Sequence, residues 1–323
     1  MRRYLARRLA QTAGVVFLVV TVVFFLLHLA PGDPFGSAME NSRVTEAVRA
    51  RWRASYGLDQ PLPEQYLRWV ANTARGDLGW SFSLNRPVSH ALRQALPNTL
   101  LLMGTALLLS FSLGVTIGIA QAVRRGSAID RALGAVSLFF YSMPDFWLAL
   151  MAMLVFAYWL PIFPVTGMVD AVMHEYLGPS GKVLDVLRHL ALPALTLAVL
   201  STASIARYQR SAMLDVIGED YMRTARAKGV GERAVMLRHG LRNALIPVIT
   251  LLGLSFPALL AGAVFVEKVF AWPGMGFVTV NAIGTRDYPL VLAAVLVSGT
   301  MVAAGSLAAD LLYTAADPRL RRG

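Results

Sequence analysis

An all-α, polytopic membrane fold follows from three features of this chain. Several apolar runs match or exceed the ~20 residues that a helix needs to cross a ~30 Å hydrocarbon core. Hydrophobic residues make up 56% of the 323 and charged residues only 15%, with a positive mean hydropathy, far from soluble composition. The basic residues also gather between the apolar runs. In a soluble protein the net charge of +11 would suggest a nucleic-acid partner. In a membrane protein the placement of the charges matters more than their sum, and no nucleic acid is expected. Cysteine is absent, which excludes disulfides, thiolate metal sites and a cysteine nucleophile.

The first span is read at about Leu9–Ala30, behind Arg2, Arg3, Arg7 and Arg8. A basic start and an apolar run also describe a cleaved signal peptide. This run is too long for a signal core and no small-x-small site closes it, so a retained helix is expected over 1–30. Residues 31–95 are polar and turn-rich, punctuated by Pro31-Gly32-Asp33-Pro34, Tyr56-Gly57-Leu58-Asp59-Gln60-Pro61 and Arg75-Gly76-Asp77-Leu78-Gly79. These breakers rule out one long helix. Short helices are expected at Val44–Ser55 and Glu64–Asn72. Trp52, Tyr56, Tyr66, Trp69, Trp80 and Phe82 supply apolar anchors for a small external cap.

Five further spans are read at about Leu100–Val123, Ala132–Leu160, His189–Arg207, Leu245–Val266 and Pro289–Tyr313, making six in all. The third contains Pro144 and is expected to kink there. A core of 96–313 thus carries a polar loop at 208–244, and 314–323 form a tail. Eight Arg and Lys lie between Arg207 and Arg242, four before the first span, three at Arg124, Arg125 and Arg131, and three at Arg319, Arg321 and Arg322. The opposite side holds Lys182, Arg188, Lys268 and Arg286, and the 31–95 segment nearly balances its bases with acids. The positive-inside rule then puts both termini and the polar loop in the cytoplasm.

That loop has internal order. Glu219 and Asp220 suit a helix N-terminus, and a helix over Tyr221–Lys228 would stop at Gly229, a good left-handed cap. Glu232 opens a second helix in which Ala234, Leu237, Leu241 and Leu245 form one apolar stripe at i, i+3, i+7 and i+11. Arg238 and Arg242 share its solvent side. Two short helices joined by a glycine turn can fit a groove on a soluble partner and transmit its movement. A plain basic loop and a DNA-binding helix-turn-helix are the competing readings, the latter disfavoured by tethering between two spans.

The run Tyr221-Met222-Arg223-Thr224-Ala225-Arg226-Ala227-Lys228-Gly229, followed by Arg238-His239-Gly240-Leu241-Arg242-Asn243-Ala244-Leu245-Ile246-Pro247, resembles the coupling loop of ABC-importer permeases. The closest likeness is to their dipeptide/oligopeptide/nickel group. Leu29-Ala30-Pro31-Gly32-Asp33-Pro34, Gly76-Asp77-Leu78-Gly79, Pro144-Asp145-Phe146-Trp147, Glu267-Lys268-Val269-Phe270-Ala271-Trp272-Pro273-Gly274-Met275-Gly276, Arg286-Asp287-Tyr288-Pro289 and Asp317-Pro318-Arg319 extend it in order along nearly the whole chain. Two departures from the wider permease pattern suit the peptide-type group. The Glu-Ala-Ala opening reads Arg223-Thr224-Ala225, and the proline expected near Leu241 comes at Pro247.

The resemblance implies a type I importer permease in a bacterial or archaeal plasma membrane. It also implies a homologous second permease, two ABC ATPase subunits and an external solute-binding protein that meets the cap. Tyr221, Arg223, Thr224, Ala225, Arg226, Ala227, Lys228, Gly229, Glu232 and Arg238 would form the ATPase-coupling surface. No Gly-x-x-x-x-Gly-Lys-Ser/Thr phosphate loop occurs in the sequence, so ATP and Mg are expected on the partner ATPases, with no cofactor and no catalysis in this chain.

Asp145 is an intramembrane carboxylate, either part of a pathway or the stabilising acid of a half-helix begun at Pro144. Glu267 and Trp272 either form a gate or re-entrant turn, or belong to a tight turn with tryptophan at the headgroup level. His28, His90, His174, His189 and His239 lack ligand spacing, so no metal is expected. An ion-gradient-driven secondary transporter is the rival function; it would want matched broken helices and several midplane charges. An intramembrane protease is disfavoured, with no Gly-x-Ser-x-Gly and no arguable Ser–His pair. The substrate class beyond a peptide or similar small solute is not legible.

Overall fold

A computed structural model describes residues 2–29, 59–261 and 263–316. The helix expected at Val44–Ser55, the anchors Trp52 and Tyr56, the Pro31–Pro34 turn and the Asp317–Arg319 motif lie outside them. Among the described residues the regular structure is helical except for one short hairpin. Four helices, Ala10–Leu29, Val88–Val123, Pro179–Ile217 and Tyr288–Leu307, are long and apolar enough to cross a membrane. Two bent pairs raise the number to six if each pair is one span. The chain divides into two compact units, residues 1–99 with 273–304 and residues 100–272 with 305–323.

In the first unit, α1 (Arg2–Leu29) and α2 (Leu62–Ala74) meet through aromatic side chains. Phe24 packs edge-on to Tyr66 and beside Trp69, and the hydroxyls of Thr21 and Tyr66 lie 2.7 Å apart. The chain then turns through Gly76 and Gly79, both at positive φ, into a hairpin of β1 (Trp80–Ser81) and β2 (Arg86–Pro87). The next helix, α3 (Val88–Val123), starts at Val88, earlier than the expected Leu100, and runs through Pro97. The cause is the i, i+3, i+4, i+7 stripe Val88, Ala91, Leu92 and Ala95, which is buried with residues of α11 (Met275–Gly284) and α12 (Tyr288–Ala316). At about ten residues α11 is too short to span.

A buried carboxylate fixes the hairpin. Asp287 accepts hydrogen bonds from Ser81 Oγ (2.6 Å), Ser83 N (3.0 Å) and Ser83 Oγ (2.8 Å) on one oxygen, and from Leu290 N (3.3 Å) on the other. With four donors the acid is well satisfied in the interior, where an unpaired carboxylate would not be tolerated.

The second unit is organised on α6 (Pro179–Ile217), longer at both ends than the expected His189–Arg207. On the remaining length of α3, Gly114 and Gly118 let the two helices approach closely. A Cβ on Gly118 would fall 2.6 Å from the Ala206 carbonyl oxygen, and one on Gly114 2.6 Å from Ile205 Cβ. Small residues four apart are a common device for close packing of membrane helices. α4 (Ala128–Tyr141) and α5 (Asp145–Trp159) meet at 102°, so the predicted break at Pro144 is a sharp corner. Pro144 is the N-cap residue of α5 and is extended (ψ 136°), as N-cap residues typically are, and α5 ends in a π-helical turn over Leu154–Trp159. α4 is held to α6 by a two-pronged pair, Arg210 Nε to Asp130 Oδ1 (3.0 Å) and Nη2 to Oδ2 (2.9 Å).

Candidate functional site

After α6 the chain folds into a helical hairpin, α7 (Asp220–Ala227) and α8 (Glu232–Ala244), and continues at a 41° bend into α9 (Ile246–Ala261). The acids of the sequence reading sit as expected: Glu219 is the N-cap residue and Asp220 the first helical one. Asp220 pairs with Arg223, and Thr224 Oγ1 donates to the Asp220 carbonyl (3.0 Å). α7 stops in a Schellman motif. Gly229 N bonds the Arg226 carbonyl (2.9 Å) and Val230 N the Ala225 carbonyl (3.3 Å), with Gly229 at φ +76° and Val230 packed beside Ala225. This geometry needs a left-handed residue at that point, which glycine adopts without a Cβ clash.

Two polar ties close the hairpin. Arg226 grips Glu232 across the turn, Nε to Oε2 at 3.0 Å and Nη2 to Oε1 at 3.0 Å. Hydrogen bonding to Glu232 raises the pKa of the guanidinium further above its ordinary range, so Arg226 stays charged. At the open end Asn243 Nδ2 donates to Tyr221 Oη at 3.0 Å. Met222 and Ala225 point inward with Val235. Tyr221, Arg223, Thr224, Ala227, Lys228 and Gly229 are exposed. The sequence-selected residues of α7 and its turn therefore fall into three groups: an exposed outer face, the solvent-accessible clasp of Arg226 with Glu232, and Ala225, which is packed inward and so is corrected as a docking-surface residue. Arg238 is exposed on α8, as is Arg242.

The apolar stripe needs correction. Ala234 and Leu237 are exposed; the residues buried along α8 and into α9 are Val235, Gly240, Ala244 and Val248. A π-helical turn over Val235–Leu241 sets the first two five positions apart, while the rest follow at steps of four. A reading with a fixed 3.6-residue period cannot register that extra residue. The inward face is tight at Gly240, where a Cβ would lie 3.1 Å from Met213 Cε and 3.2 Å from Met222 Cε.

The other candidate residues stand apart from the hairpin. Asp145 opens α5, is exposed, and makes no hydrogen bond or ion pair among the described residues. It lines a cavity of about 540 Å³. Glu267, on α10 (Val264–Val269), and Trp272 are fully buried. The Trp272 amide donates to the Glu267 carbonyl (2.8 Å), and its ring packs with Leu102, Leu190 and Ala194. Trp272 is thus a core residue of its unit. No group of His, Asp and Glu able to hold a metal occurs among the described residues.

Comparison with known proteins decides the family. The model of the binding-protein-dependent transport system inner membrane component matches residues 114–322, and that of its N-terminal region matches residues 1–103. The chain belongs to this permease family. It is 41% identical to the di/tripeptide transport system permease protein DppB of Pseudomonas aeruginosa, 39% to the oligopeptide transport system permease protein AppB of Bacillus subtilis and 36% to the dipeptide transport system permease protein DppB of Escherichia coli K12. Each match covers 99% of both chains. A solved amino acid ABC transporter is similar over 69% of this chain and 93% of its own, at 16% identity and a TM-score of 0.45.

Three features of the permease were missed from sequence. The Gly114–Gly118 pair was open to detection, since two glycines four apart in an apolar run form a known signal. Asp130–Arg210 and Asp287–Ser81/Ser83 join residues far apart in the chain, and no local pattern announces such pairs.

Proposed function

We propose that this permease forms half of the translocation pathway of an ATP-driven importer for peptides or a related small solute. The observation that carries this reading is the hairpin, whose inner face is packed and whose outer face, Tyr221, Arg223, Thr224, Ala227 and Lys228, is exposed. A rigid element of this kind suits docking into a groove of a separate subunit. The full-length identity to peptide-transport permeases supports peptides as cargo. The distribution of Arg and Lys supports a cytoplasmic hairpin and cytoplasmic termini. The assembly we propose contains a homologous second permease, two ABC ATPase subunits that bind ATP and Mg, and an external solute-binding protein. This chain contributes movement and no catalysis: the ATPase groove closes, the hairpin follows as a rigid body, and the spans change access.

The test is co-expression with candidate ABC ATPase subunits from the same genome and purification through a tag on the permease. An ATPase is expected to co-purify, and Ala227→Trp, which puts bulk on the outer face, is expected to release it while the permease stays folded. If no ATPase co-purifies with the wild-type chain, the reading is wrong.

A further inference from the structure

Two cavities run along α6, and both lie wholly within the second unit. One, of about 540 Å³, is lined by Asp145 and by hydroxyls that include Ser110, Ser201 and Ser255. Asp145 is the single charged residue on its wall. The other, of about 430 Å³, is lined by Arg131, Arg207, Arg210 and Asp130. Tyr141 and Ser204 line both, so the two spaces adjoin.

Their charges are separated by sign. In the second cavity Asp130 is already neutralised by Arg210. Arg131 donates to the Gly126 carbonyl (2.8 Å) and keeps its charge. Arg207 is exposed and has no hydrogen bond or ion pair among the described residues. One cavity therefore offers an unpaired carboxylate among hydroxyls, and its neighbour offers an unpaired guanidinium with a second beside it. Asp145 lies within an apolar span, where an unpaired charge is costly and marks a pathway more often than scaffolding; Arg131 and Arg207 stand at span ends, on the side where the basic residues gather.

We propose that the two cavities form one amphoteric passage, in which Asp145 receives the cationic amino end of a peptide and Arg207, beside Arg131, receives its carboxylate end. A zwitterionic chain presents these two charges at opposite ends, and each cavity is complementary to one of them. The hydroxyls accept or donate hydrogen bonds without choosing a side chain, which suits cargo of variable sequence. This inference rests on the proposed peptide import and specifies which end of the cargo meets which residue.

The test uses the complete transporter in vesicles, with dialanine as the probe. Asp145→Asn and Arg207→Gln are each expected to reduce uptake about tenfold, the loss of one charge-assisted hydrogen bond. ATP hydrolysis stimulated by the solute-binding protein should persist, because the hairpin is untouched. A second measurement does not depend on those variants folding well. The chain has no cysteine, so Asp145→Cys and Arg207→Cys each introduce a unique thiol, whose modification by methanethiosulfonate reagents is read on this chain by mass spectrometry. Excess dialanine is expected to slow modification at both positions. If the wild type imports dialanine while both charge variants match it and neither thiol is protected, the passage is refuted and peptide import stands. If the wild type imports no peptide at all, the functional reading itself falls. Protection of Arg207→Cys by anionic phospholipid but not by dialanine would refute the passage in favour of a lipid headgroup site.

Discussion

Gly229 holds φ at +76° with nothing within 4 Å of where a Cβ would stand. Any penalty on substitution there comes from backbone strain, roughly 1–2 kcal/mol for an L residue, with no crowding to add. Asparagine tolerates this region and valine does not. The unfolding temperature in detergent should therefore fall in the order Gly229, Gly229→Asn, Gly229→Ala, Gly229→Val, and coupled uptake should follow it. Equal behaviour of the valine and glycine forms would show that the turn is not held. Asp287 presents the opposite case, a residue defined by its contacts. Truncation to alanine strands the hydroxyl of buried Ser81 in the interior, at about 1–3 kcal/mol, and leaves the amide and hydroxyl of exposed Ser83 to water. Asp287→Asn keeps one carbonyl oxygen for those donors and should lose about half as much. Tryptic cleavage after Arg75, just before the hairpin that Asp287 secures, measures the difference: fastest for alanine, intermediate for asparagine. Equal rates for all three forms would mean that the carboxylate does not fix the hairpin.

Between elements, the closest approach is that of α3 to α6. Gly118→Ala drives a methyl group to 2.6 Å from the backbone oxygen of Ala206, which cannot yield as a flexible side chain would. Overpacking of this kind costs about 1–3 kcal/mol. Gly104 on the same helix has nothing within 4 Å, so Gly104→Ala removes only a poor helix former and should stabilise by up to about 1 kcal/mol. Opposite shifts in unfolding temperature are the expected outcome, and shifts of the same sign would mean that the glycine contact does not limit the packing. These elements differ in how far the sequence announced them. The extent of α7 was legible because acids at its start and a glycine at its stop are local chemistry. The corner at Pro144 was legible for the same reason. The inward face of α8 was not, since the π-helical turn changes its period without changing its composition. The burial of Trp272 was also hidden, because the helices that enclose it lie more than seventy residues earlier in the chain.

At the scale of the whole molecule the open contrast is the source of energy. The sequence carries no phosphate loop, and the proposed hairpin surface would bring in an ATPase. A secondary transporter would instead use titrating groups within the spans. Of the two acids along α4 and α5, Asp130 is held by Arg210, which leaves Asp145 as the one without an ion pair among the described residues. One such group is enough to frame the rival and too few to make it the better account, because an exposed surface on α7 then has no task. The two schemes part in sealed vesicles that contain the complete transporter and its solute-binding protein. With ATP and Mg on the hairpin side, initial peptide uptake should be unchanged when a protonophore and a sodium ionophore collapse both gradients. It should stop when ATP is replaced by a non-hydrolysable analogue. Asp145→Asn should slow that uptake and leave its dependence on ATP intact, since in this scheme the carboxylate meets the cargo and not the driving ion. Uptake that survives without hydrolysis and ends with the gradients would reassign Asp145 as the coupling site and make the ATPase unnecessary.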